Sequence, residues 1–222
     1  MNQAPTLIFT EDGSHSLFRA DIDETYHSLK GAVNESNHVY VKNGLKQWLK
    51  TNSGTPSIFE MGFGTGLNAL LTHKAVEDQK ISINYTSIDN YPLPKSLWET
   101  LNHGELQEAS KEFNELHNAS WGKETKVGKL MLTKIKTDLL KYKFNEKFDV
   151  IYFDAFAPAK QPELWHLTIL NKCIKALNQN GIFVTYSAKG ALKRDLKSLG
   201  LKVETLPGPP GKFEMVRATK AD

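Results

Sequence analysis

Short apolar runs recur along this chain between stretches of helical spacing. The first clear pair is "PSIFEMG", which ends at a cluster of glycines, and "GLNALLTHKAVEDQ", whose apolar positions 67, 70, 71 and 75 share one helical face. "ISINYTSIDN" reads as the next strand, stopped by "NYPLP", and "PKSLWETLNHGELQEASKEFNELHNAS" as one or two helices. Strands are also predicted in "KLMLTKIKTDLL", "FDVIYFDAFAP", "GIFVTYSA", "LKVETLPG" and "FEMVRAT". Between them lie a helix in "LWHLTILNKCIKALNQNG", ended by Asn180-Gly181, and another in "GALKRDLKSLG". This alternation specifies an α/β fold, a mostly parallel seven-stranded sheet covered on both faces. The linker "PGPPGK" is too short for a helical crossover, so the last strand is expected to be antiparallel. Residues 1–52 stand apart as a small polar extension, a hairpin or helix, ahead of a main domain over residues 53–222.

Composition narrows the class without naming a function. A chain of 222 residues suffices for one well-buried domain, hiding roughly 70% of its unfolded surface. The single cysteine, Cys173, excludes internal disulfides and multi-cysteine zinc sites, and its apolar neighbours point to a buried packing residue. No H-E-x-x-H or paired-cysteine spacing offers a metal site. Neither a long apolar stretch nor a signal-type N-terminus is present, so the expectation is a cytoplasmic protein with no membrane association. The net charge of +3 is uneven: residues 1–122 carry −6 and residues 123–222 carry +9. That gradient is either an uneven solvated surface or a face for a polyanion.

Chemistry enters with "IFEMGFGTGLNAL", residues 58–70. Gly62, Gly64 and Gly66 follow the first sheet strand, where ligands of parallel sheets bind, outside the carboxyl ends of the strands. The pattern is G-x-G-x-G rather than the dinucleotide G-x-G-x-x-G, and Glu60 would repel a pyrophosphate. A cofactor bearing cationic or amino-acid groups suits it better. Asp89 ends the second strand, where a carboxylate can accept both ribose hydroxyls. Asp138, after the third strand, could take an adenine amine. Three carboxylates at successive strand ends around a glycine loop suit S-adenosylmethionine. The plainer alternative is that each carboxylate only caps a following helix.

The fourth strand ends in "FDAFAPAKQPELW", with Asp154, Phe156, Pro158 and Trp165. An acid followed by aromatics at this place suits methyl transfer to an amine: the acid orients the nucleophile and the aromatic wall excludes water. A capping aspartate beside core aromatics is again the alternative.

The stretches "YHSLKGAVNESNHVYV", "EMGFGTGLN", "DAFAPAKQPELW", "TYSAKGALKRDLKSLG" and "PPGKFEMVRA" occur in this order along the chain and carry a resemblance that runs over about residues 12–219. Together they resemble the methyltransferase domain of the tRNA 5-methylaminomethyl-2-thiouridine biosynthesis enzymes, the MnmC family. The resemblance implies a Rossmann-like class I methyltransferase fold. It also implies transfer of a methyl group from S-adenosyl-L-methionine to the aminomethyl group of a wobble uridine in tRNA. It places the cofactor at Glu60 to Asn68, Asp89, Asp138 and Asp154, and the catalytic pair at Asp154 and Phe156. Tyr26, His27, Ser28, Glu35, Ser36, Pro158, Trp165, Lys189 and Lys212 are expected around the tRNA substrate. Many relatives continue into a flavin-dependent oxidase. This chain ends at Asp222 with no second dinucleotide motif, so a stand-alone methyltransferase without FAD is expected. The alternatives are an aminopropyltransferase, a small-molecule amine N-methyltransferase and a non-catalytic tRNA-binding protein.

Overall fold

The computed structural model describes residues 4–220. Three short strands open it, β1 (Thr6–Phe9), β2 (His15–Arg19) and β3 (Glu24–Thr25), paired antiparallel in a small sheet. A continuous helical stretch follows: α1 (Ala32–Ser36), a π-type segment (Asn37–Leu45) and α2 (Lys46–Leu49). The N-terminal region is thus both strand and helix. Its helical half lies on the main sheet, burying Val39, Tyr40, Leu45 and Trp48 in the same core as Ile58, Val150 and Val184. Gly44 makes that contact possible, because a Cβ there would meet the Tyr152 ring at 2.9 Å.

The main sheet contains β4 (Ser57–Met61), β5 (Ile83–Asp89), β6 (Glu124–Val127), β7 (Leu130–Lys136), β8 (Phe148–Phe153), β9 (Leu177–Thr185), β10 (Leu201–Pro207) and β11 (Glu214–Lys220). Their order is β10-β11-β9-β8-β4-β5-β7-β6. Strands β4, β5, β7, β8 and β9 pair in parallel, and β11 lies antiparallel between β10 and β9. The antiparallel last strand expected from the short linker is present. Eight strands rather than seven form the sheet, because β6 adds an antiparallel edge to β7. Its "ETKV" buries only Val127, so its apolar signal is too weak to read as a strand.

The helices between strands are α3 (Leu67–Ala75), α4 (Lys95–Trp98), α5 (His103–Leu106), α6 (Ser110–Asn118), α7 (Leu167–Lys175) and α8 (Gly190–Ser198). The stretch expected as one or two helices is broken into three, with Glu108 at φ +51° between α5 and α6. Helix α7 also stops earlier than Asn180-Gly181. Lys220 Nζ donates to the carbonyls of Ile174 and Leu177, and Lys147 Nζ to that of Lys175. These distant lysines take up helix-end carbonyls and let Leu177 pair with Phe148 as the start of β9.

The two faces of the sheet carry separate cores, since alternate residues of each strand point to opposite sides. On β4, Ile58 joins the core under the N-terminal helix and α3, while Phe59 joins the one with Leu170, Cys173 and Leu196. Cys173 is a buried free thiol, as its neighbours foretold. From β4 the chain runs outward through β5 to β7, then crosses back to place β8 on the other side of β4. That reversal opens a crevice above the carboxyl ends of β4 and β8. Among the described residues, no helix is long and apolar enough to cross a membrane.

Candidate active site

A cavity of about 510 Å³ occupies this crevice, within the range of small-molecule sites. Gly62, Gly64, Asp89, Asp138 and Asp154 line it from the strand ends, and Tyr26, Glu35, Tyr186 and Lys212 from other parts of the chain.

The glycine loop is held in a left-handed backbone conformation that side chains resist, with φ of +92° at Gly62, +50° at Gly64 and +72° at Gly66. A Cβ on Gly64 would lie 3.2 Å from the Tyr26 ring, and one on Gly62 would lie 3.2 Å from the Asp154 carbonyl oxygen. The loop therefore accommodates both a cavity and the protein's own close neighbours. Two histidines brace it, His27 from the cavity lining and His117 from behind. His27 Nε2 lies 2.7 Å from Thr65 Oγ1, and His117 Nε2 lies 3.0 Å from the Thr65 carbonyl oxygen. Burial pushes these imidazoles down to about 4 and about 3, so both are neutral at pH 7. Lys134, buried beneath the loop, donates to the carbonyls of Leu116 and His117 and lies 4.8 Å from the Phe63 ring centroid.

Asp89 accepts the backbone N–H groups of Gly64 (2.9 Å) and Tyr91 (2.7 Å), and Asp138 accepts that of Leu140 (2.9 Å). Both carboxylates thus cap backbone and face the cavity. Each oxygen retains a lone pair for a ligand. Burial raises the pKa of Asp89 against the two N–H donors that lower it.

Asp154 is bound on both oxygens. Tyr40 OH donates to Oδ1 (2.5 Å) and Asn68 Nδ2 to Oδ2 (2.8 Å). Burial pushes this carboxyl up to about 6, so it is mostly ionised at pH 7. Around it stand Phe156, edge-on to Tyr26 at 5.2 Å, and Tyr186, whose OH donates to the Ala155 carbonyl (2.9 Å). Trp165 lies behind this wall, its Nε1 donating to the Phe156 carbonyl (2.9 Å). Lys212 Nζ sits 3.9 Å from the Tyr186 ring centroid and pairs with buried Glu35, whose other oxygen accepts the Ser28 N–H at 2.7 Å.

Several expected site residues do not line the cavity. Glu60 is fully buried behind the loop, with Oε2 accepting from Ser87 Oγ (2.6 Å) and Oε1 unpartnered. Burial raises its pKa to about 8. Gly66 packs against His117, and Ser36 is buried with its hydroxyl unpartnered. Trp165 supports the wall from behind, Pro158 is half-buried away from the cavity lining, and Lys189 is exposed at the N-terminus of α8. Conversely, Tyr40, Tyr186 and Arg19 are part of the site and were not singled out in the sequence. Arg19 lines the cavity with its guanidinium 5.6 Å from the Phe156 ring centroid. Tyr40 lies within "NESNHVYV", but its role depends on a π-type turn that no spacing rule announces.

A family profile described as S-adenosyl-L-methionine-dependent methyltransferase matches residues 98–221. The bifunctional tRNA 5-methylaminomethyl-2-thiouridine biosynthesis protein MnmC of Burkholderia vietnamiensis is 28% identical over 95% of this chain. That of Burkholderia mallei is 30% identical over 95%. In both cases the chain spans 34% of the relative's length. Among solved structures, MNMC2 from Aquifex aeolicus superposes with a TM-score of 0.76 at 26% identity, covering 99% of this chain and 72% of that one. Spermidine synthase from Thermotoga maritima superposes at 0.56 with 15% identity over 97% of this chain and 73% of its own, a likeness of fold.

Proposed function

The chain belongs to the family of S-adenosyl-L-methionine-dependent methyltransferases, and from that premise we propose that its acceptor is the exocyclic amine of 5-aminomethyl-(2-thio)uridine at the wobble position of tRNA. One observation carries the reading: Asp154, held on both oxygens by Tyr40 and Asn68, stands between the glycine loop and an aromatic wall. Likeness to MNMC2 over nearly the whole chain supports the same assignment, and a tRNA substrate fits a cytoplasmic site of action. Residues 53–222 would form the catalytic domain, with residues 1–52 completing the acceptor side.

The cofactor's donor groups match the cavity. Asp89 would use its free lone pairs for ribose hydroxyls, Asp138 would take the adenine amine from the cavity wall, and Gly62 and Gly64 leave the backbone bare. Glu60 supports the loop from behind through Ser87. When bound, S-adenosyl-L-methionine supplies an electrophilic methyl carbon on a sulfonium sulfur.

The acceptor must arrive as a neutral amine. An alkylammonium with a pKa of about 10.4 would cost up to roughly 4–5 kcal/mol to neutralise at pH 7, less where the electron-poor uracil lowers it. The ionised Asp154 accepts an amine N–H and aims the nitrogen lone pair. By itself a carboxylate favours the ammonium, but the apolar wall of Phe156 and Tyr26 opposes that. Lys212, paired with Glu35 and lying over the Tyr186 ring, closes the acceptor side. As the new C–N bond forms, the methyl–sulfur bond breaks. The resulting secondary ammonium can then lose a proton to Asp154 or to solvent. Position and desolvation supply most of the acceleration.

The test is incubation with labelled S-adenosyl-L-methionine and three tRNAs, bearing 5-aminomethyluridine, its carboxymethylated precursor or unmodified uridine, followed by nucleoside mass spectrometry. The first should gain one methyl group and the other two none. The precursor's carboxylate would meet Asp154, and unmodified uridine carries no amine. Efficient methylation of unmodified tRNA would overturn the proposal.

A further inference from the structure

At the mouth of the cavity, the turn between β10 and β11 carries Phe213, whose side chain is 100% exposed. A phenyl ring in water is unfavourable, and this one is held out on a turn whose backbone is braced, where it is placed to take a partner. The brace lies in the turn's backbone. Gly208 N–H donates to the Phe213 carbonyl (3.0 Å) and Lys212 N–H to that of Pro209 (2.9 Å). His38 Nε2 donates to the Pro207 carbonyl (2.8 Å), and Pro209 is buried. No other ring among the described residues packs against Phe213. The adjacent residue, Lys212, lines the cavity, and their Cα atoms are about 3.8 Å apart.

Cations lie along this turn and the helix tied to it. Lys193 pairs with Glu214 at 3.1 Å, which ties the turn to the start of α8, where Lys189 and Arg194 are exposed. The Lys30 stem packs over Gly211, and its ammonium pairs with Glu11. A protein partner generally covers a contiguous apolar patch. A lone aromatic among lysines and arginines is instead the arrangement that binds single-stranded nucleic acid, with the ring stacking on a base and the cations tracking the backbone.

Resting on the tRNA reading above, we propose that Phe213 is a stacking platform for an unpaired base adjoining the target nucleotide in the anticodon loop. It would hold the loop over the cavity while Lys189, Lys193 and Arg194 meet phosphates.

The experiment uses an anticodon stem–loop RNA carrying 5-aminomethyluridine, with 2-aminopurine in turn at each flanking loop position. Wild type should quench the 2-aminopurine at one position on binding. Phe213→Ala should abolish that quench and raise the KM for the stem–loop about tenfold. Phe213→Trp should restore both and Phe213→Leu neither, which separates stacking from mere apolar contact. The thermal midpoint and the S-adenosyl-L-methionine dissociation constant of each variant should match wild type. Quenching without methylation by wild type would remove the wobble-amine reading and leave the platform standing. Methylation with an unchanged KM and quench in Phe213→Ala would overturn the platform. So would a wild-type dimer in sedimentation that Phe213→Ala dissolves, because a second copy would then be the ring's partner.

Discussion

Asp89 and Asp138, on one side of the cavity, are secured by backbone N–H groups no more than 25 residues away and mostly two away. On the other side, Asp154 is secured by side chains 114 and 86 positions distant in the chain. The first arrangement is a property of strand-to-loop turns and survives most substitutions nearby. The second exists only when the N-terminal helix, α3 and β8 are all packed. The contrast implies that donor binding and acceptor orientation can be damaged separately.

The sharpest separation should come from Asp154→Asn. The amide can still accept one hydrogen bond but carries no charge, and kcat should fall by about a hundredfold or more. The pH profile adds a second reading. Asp154 must be ionised, and its folded pKa is about 6, so wild-type activity should gain an extra factor of rising slope below that pH. Asp154→Asn should lack this limb while the amine's own dependence remains. Near-wild-type turnover in the variant would remove Asp154 from the mechanism.

On the donor side, Asp89→Ala is expected to weaken S-adenosyl-L-methionine binding by about 1–3 kcal/mol. Calorimetry should register that loss with circular dichroism unchanged. An unaltered dissociation constant would end the ribose assignment.

Tyr40→Phe probes the opposite half. It removes one hydrogen bond to a charged group, and kcat should drop about tenfold while cofactor affinity holds. If Tyr40→Phe weakened cofactor binding as much as Asp89→Ala does, the two halves would be coupled and the contrast lost.

The smallest effect on activity is expected from Glu60→Gln, whose signature is stability. The folded-state carboxyl is raised from 4.5 to about 8, so the folded chain holds a proton that the unfolded chain releases. Stability should therefore decline as pH rises from about 4.5 to about 8. At pH 8 the glutamine variant should melt several degrees higher than wild type, because the wild-type chain has by then lost most of the stability that its held proton supplied. At pH 4.5 the two should coincide. Parallel melting curves across that range would show that Glu60 is not buried as the neutral acid.

Local pattern determined much of this protein. Alternating strand and helix periods, the glycine cluster after "SIFEM" and acids at strand ends were enough for the α/β sheet, its antiparallel last strand and the position of the crevice. These features are legible because each depends on residues a few positions apart. Tertiary structure alone decided the rest. The end of α7 depends on Lys147 and Lys220, the close seating of the N-terminal helix depends on Gly44 against Tyr152, and Glu60 is turned away from the cavity toward Ser87. Tyr40, Tyr186 and Lys212 reach the acceptor side from segments far apart in the chain, and no periodicity records which side chains a folded sheet will bring within hydrogen-bonding range of one another.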